Sequence, residues 1–192
     1  MYIKKTSLTP HVKQLTIFLF LLIVMIATRG THLLTSIALP DASFIVMLAL
    51  GFLLNNIRWF IFALLLSVGI DLYMIPTTIN EPYNLNLGYI GLTLAYAIAW
   101  FIGKYFANTP ISNSSVIKYS ALYLSATYLI STLSFYYFSG WNVSSQSVLS
   151  FLGSHINDFM ISNISYLIIF IIGIKVYRSM TRNSAALTIK SI

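Results

Sequence analysis

Cysteine is absent from the 192 residues. That excludes disulfides, thiolate metal centres and cysteine nucleophiles outright. Charge is nearly as scarce. Asp, Glu, Lys and Arg make up 8% of the chain, where a water-soluble domain would carry roughly three times that share. Acids are the rarest charged class, with four Asp and Glu against eleven Lys and Arg. No H-E-x-x-H pair, Gly-rich phosphate loop or Ser/His/Asp spacing stands out, so hydrolase and ATPase readings lack a motif. The net charge of +7 does not point to nucleic acid, because the basic residues are scattered between apolar runs.

What the chain does have is apolar length. It is 58% hydrophobic with a mean hydropathy of +0.83. A single core of this size could not hide so much apolar surface, so lipid is the expected solvent for much of it. Six apolar segments stand out, about Gln14–Thr28, Asp41–Leu54, Ile57–Ile75, Leu87–Ala107, Lys118–Phe138 and Asp158–Tyr177. They lack the period-2 alternation of a β-barrel, so helices are expected to satisfy the backbone. The expectation is an all-α integral membrane protein, one transmembrane domain over residues 1–192 with six spans. The second segment is short for a bilayer and must borrow from its flanks or sit off-centre. A secretory signal peptide is not expected, because the first run ends in Ala27-Thr28-Arg29-Gly30, a poor small-residue cleavage site.

Basic residues orient these spans. With a cytoplasmic N-terminus and six crossings, the cytoplasmic side receives Lys4, Lys5, Lys13, Arg58, Lys104, Lys118, Lys175, Arg178, Arg182 and Lys190. Only Arg29 falls outside, as the positive-inside rule asks. Both termini are then cytoplasmic. The acids Asp41, Asp71, Glu81 and Asp158 fall on or near the other face, together with Arg29, His32 and His155. Acids contribute little to topology, so this clustering asks for another cause.

Asp71 is the sharpest single residue, a carboxylate near the end of the third apolar segment. It reads either as a wet interfacial Asp or as a group facing the bundle interior, accepting bonds from a ligand or from Arg29. The stretch Asn80-Glu81-Pro82-Tyr83-Asn84-Leu85-Asn86, followed by Tyr89, is rich in amides and phenols that suit an uncharged, amide-bearing ligand. A polar outer loop would look the same. His32 and His155 could ligate a transition metal, but they come from distant segments without ligand spacing, and an interfacial role is the simpler reading. Gly91, Ala95, Ala99 and Gly103 recur at a period of four, which reads as close helix packing within the bundle rather than an interface with another protein.

Several stretches, in order, resemble the BtuM family. These are Ala27-Thr28-Arg29-Gly30-Thr31-His32, then Leu39-Pro40-Asp41-Ala42-Ser43, the region around Asp71, Tyr96 to Tyr105, and Phe135-Tyr136-Tyr137-Phe138-Ser139-Gly140. The R-G-x-H and L-P-D-A-S pair is the most specific element. That family comprises small bacterial inner-membrane proteins similar to the substrate-binding S-components of energy-coupling factor transporters, associated with vitamin B12. The resemblance implies a six-helix S-component-like bundle with a cobalamin site opening outward. It implies ligand-binding roles for His32, Asp71 and Tyr89; Arg29, Tyr83, Asn84 and His155 are expected to bind the ligand with them, and His32 is a possible cobalt contact. It implies no further cofactor, no nucleic acid, and the lipid bilayer and cobalamin as partners. The family's cobalt-ligating cysteine falls on Asn84 by ungapped count, and a carboxamide cannot act as a thiolate. Cysteine-dependent removal of cyanide is therefore not expected, and the chain reads as a transporter or binding protein rather than an enzyme. The small residues four apart that dock a coupling subunit in the first S-component helix are also missing, so an energy-coupling module remains an open partner. Three rivals stay open: a carrier for another vitamin or corrinoid, a cobalamin-processing membrane enzyme, and a structural membrane protein without a ligand. The lack of cysteine argues against the enzyme, and the one-sided ionisable cluster against the last.

Overall fold

A computed structural model describes residues 10–29, 39–74, 87–138 and 146–189, with side chains for 11–29, 39–74, 87–138 and 146–176. Among these residues every regular element is a helix: α1 (Pro10–Arg29), α2 (Ser43–Leu53), α3 (Ile57–Met74), α4 (Gly88–Ala107), α5 (Asn113–Phe138) and α6 (Val148–Ile189). Among the described residues three stretches are long and apolar enough to cross a membrane, His11–Arg29, Gly88–Ala107 and Val148–Val176, and α2 is a shorter apolar helix.

The helices begin and end where local chemistry allows. Between α2 and α3, Asn55 adopts φ 48°, a left-handed conformation that Asn tolerates better than most residues. Its N–H and that of Leu54 both donate to the Leu50 carbonyl, which closes α2. Asn56 then starts α3, its Oδ1 accepting from the Arg58 N–H at 3.0 Å. Helix α5 begins at Asn113, five residues ahead of the expected Lys118. Ser112 and Ser115 explain the difference by a reciprocal cap: each hydroxyl accepts from the other's backbone N–H, at 3.1 and 2.9 Å. Helix α6 departs further, running Val148–Ile189 where Asp158–Tyr177 was expected. Ser147 Oγ accepts from Ser150 N–H at 3.2 Å and opens the helix ten residues early. The polar stretch Ser154 to Asp158 continues it with exposed side chains, because nothing there breaks the backbone ladder. His155 accordingly sits on α6, ahead of where the sixth segment was expected to begin.

Helix α2 is the centre of the assembly. Its residues Ser43 to Gly51 are all buried, and its closest neighbour is α4. There the small-residue stripe acts inside the protein. A Cβ on Gly103 would lie 2.0 Å from the Leu48 carbonyl oxygen of α2, and one on Gly51 would lie 2.0 Å from that of Trp100. The two backbones touch through a glycine from each side, while Ala95 and Ala99 fill the rest of the seam at 0% exposure. On the next face of α4, Gly91 packs against Ser134 of α5. Around this core the outward faces are apolar: Phe20, Leu65, Ile90, Ile161 and Ile169 are all exposed. Faces of this kind suit lipid and not water.

Candidate functional site

One end of the bundle brings together Arg29, Asp41 and Asp71. Arg29 is the last residue of α1, so its long side chain leaves the helix where no further turn screens it. The last turn of α1 is stitched to the start of α2, since Thr28 Oγ1 accepts from the Ala42 N–H at 3.1 Å. Just before α2, Asp41 folds back in an Asx-type turn. Its Oδ1 accepts from the Ser43 N–H at 2.9 Å and from the Ser43 hydroxyl at 2.6 Å. Asp71 comes from the last turn of α3. Tyr89 and Tyr96 come from α4, two turns apart and so on one face.

The Arg29 guanidinium joins them. Its Nε donates to Asp71 Oδ1 at 2.8 Å and its Nη2 to Asp71 Oδ2 at 2.6 Å, the forked pairing that guanidinium and carboxylate geometry favour. Its Nη1 donates to Asp41 Oδ2 at 3.1 Å, to Ser43 Oγ at 3.0 Å, and to the Tyr96 hydroxyl. Tyr89 completes the set by donating its hydroxyl to Asp71 Oδ2 at 2.8 Å. Four helices are thus tied at one point. Burial grades across it: the Arg29 side chain is 8% exposed, Asp71 18% and Asp41 43%. From α6, the Tyr166 hydroxyl donates to the Pro40 carbonyl at 2.7 Å and braces the approach to Asp41.

Of the residues singled out from the sequence, Arg29, Asp71 and Tyr89 meet here. His155 has its described contacts within α6. Its Nδ1 lies 2.9 Å from the Phe151 carbonyl, which can only accept, and 3.0 Å from Ser154 Oγ, while its ring packs on Phe151 at 4.3 Å. His32, Tyr83 and Asn84 lie outside the described residues. Among the described residues no group of three His, Asp or Glu side chains could hold a metal ion.

Sequence reasoning left out Asp41, Ser43 and Tyr96 as members of the site. Tyr96 carried a signal, since seven residues separate it from Tyr89 and that spacing returns a side chain to the same helix face. Asp41 carried one too, as an acid just ahead of a helix start. A second polar cluster lies deeper, where Tyr123 donates to Asn163 Oδ1 at 2.8 Å and joins α5 to α6. Chemically, the Arg29 cluster is built to hold fixed charges and to offer oxygen acceptors at its exposed edge. No protein-family model matches the chain, and no curated protein matches it.

Proposed function

We propose that this chain is a cobalamin-binding uptake protein of the bacterial inner membrane, S-component-like, with six spans and both termini in the cytoplasm. The observation that carries the reading is a coincidence of two independent selections. The residues that resemble the BtuM family, in the R-G-x-H stretch, the L-P-D-A-S stretch and the region of Asp71, supply Arg29, Asp41, Ser43 and Asp71. The fold joins those same four side chains in one network. A purely structural protein has no need to join two of its four acids, Asp41 and Asp71, to one buried arginine. The basic asymmetry supports the orientation, with that end outward.

In this reading the corrinoid is held by hydrogen bonds and aromatic contact from Asp71, Tyr89, Tyr83, Asn84 and His32, with Arg29 fixing Asp71 and His155 at the margin. Asn84 in the position of the family's cysteine means that the vitamin keeps its cyanide on binding. Coupling to an energy-coupling module is not part of the proposal, because α1 lacks the small residues four apart that such docking uses.

The test is to purify the protein from cells fed cobalamin and record its visible absorption spectrum. A corrinoid spectrum that co-purifies in stoichiometric amount is expected. A colourless preparation that also fails to bind added cobalamin would sink the reading.

A further inference from the structure

The network sorts its groups unevenly between donors and acceptors. Arg29 is the one cation among them, and each of its three nitrogens already donates to a protein oxygen. It is 8% exposed. An incoming anion would therefore meet a guanidinium that is both buried and taken. Both oxygens of Asp71 accept from Arg29, and one of them also accepts from Tyr89. The group left open is Asp41, 43% exposed, whose Oδ2 receives a single bond from Arg29 at 3.1 Å. A carboxylate oxygen can accept more than one hydrogen bond. Two carboxylates against one guanidinium also leave the network one negative charge in excess.

We propose that Asp41 sets the chemical class of ligand at this end of the bundle. It admits groups that donate hydrogen bonds, amides and hydroxyls, and it rejects carboxylates. The inference rests on the cobalamin reading and deepens it: the site takes corrinoids whose side chains are amidated and discriminates against their acid forms. The physical basis is like-charge repulsion at a half-exposed carboxylate that no further cation among the described residues offsets. Asp41→Asn tests it directly. The Asn side-chain oxygen can still accept from the Ser43 N–H, so the turn ahead of α2 keeps its bond while the charge is removed.

The experiment titrates the purified full-length protein with cyanocobalamin and with its separate monocarboxylate isomers, each having one side-chain amide hydrolysed. At neutral pH at least one isomer is expected to bind about tenfold more weakly than the parent, the size of one like-charge contact near a protein surface. In Asp41→Asn that penalty is expected to shrink to about threefold or less, with parent affinity changed less than the discrimination. Isomers that all bind the wild type within twofold of the parent overturn the inference and leave the cobalamin reading standing. So does a penalty that persists undiminished in Asp41→Asn. A wild type that binds none of the corrinoids overturns both. The wild-type comparison needs no variant, so a poorly folding Asp41→Asn does not remove the test.

Discussion

Replacing Asp71 by Asn should destabilise the bundle, and a second substitution should recover part of the loss. In the wild type, Asp71 takes two of the Arg29 nitrogens at 2.8 and 2.6 Å. Asn offers one acceptor and turns an amide N–H toward a guanidinium N–H where the second bond stood. Arg29, 8% exposed, is then left to Asp41, which sits at 3.1 Å and is 43% exposed. Breaking a buried pair by removing one partner costs about 3–5 kcal/mol. Because Asp41 remains and Asp71 is 18% exposed, the cost falls to or just below the bottom of that range, about 2–3 kcal/mol. Arg29→Gln alone should cost about 1–3 kcal/mol, since it leaves Asp71 short of donors. Arg29→Gln/Asp71→Asn removes both charges together. It should be more stable than the sum of the single losses by about 1–2 kcal/mol, a coupling typical of residues in one network. Denaturant titration of the purified variants in detergent micelles, followed by circular dichroism, measures each stability. Losses that add within about 0.5 kcal/mol would show that the two side chains touch without energetic coupling, and the idea that this pair ties α1 to α3 would fail.

Gly103→Leu should separate α2 from α4, because its Cβ alone would sit 2.0 Å from the Leu48 carbonyl oxygen; overpacking of this kind costs about 1–3 kcal/mol or more, and an unchanged melting temperature would contradict the packing. Single cysteines introduced into this cysteine-free chain at positions 35, 80 and 145 should be labelled from outside the cell, and those at 6, 56, 112 and 185 only after permeabilisation. Outside labelling at 56 or 112 would overturn the orientation. Asn84→Cys should shift the spectrum of bound cyanocobalamin as cobalt acquires sulfur, increasingly as pH rises toward a thiol pKa of about 8.5. A variant that binds the vitamin without any shift would put the residue away from the cobalt.

Apolar runs made α3 and α4 legible to within a residue, since their ends coincide with Asn55-Asn56 and with Asn108. They did not reveal where α5 and α6 begin. Those starts are serine caps on polar turns, and hydropathy cannot tell a capped polar turn from a loop. Arg29 and Asp71 could be read because a charge beside an apolar run demands a partner. That they are each other's partner, across 42 residues of sequence, is a property of the packed fold. Tyr96 was hidden for a related reason: an aromatic in mid-helix looks like packing until an arginine reaches its hydroxyl.

The burial of α2 bears on the order in which the helices can pack. Eleven residues of helix extend about 16 Å, roughly half the hydrocarbon thickness of a bilayer. Alone in lipid, α2 would leave polar chain ends such as Asp41 and Asn55 within reach of the acyl region. The surface that shelters it is chiefly α4, and a nascent chain leaving the ribosome delivers α4 only after α2 and α3 have emerged. Before that, the faces of α2 that α4 buries have no protein partner. The seam closes only when the glycine of each helix reaches the other's backbone, so the packing of α2 depends on a helix that follows it in the chain.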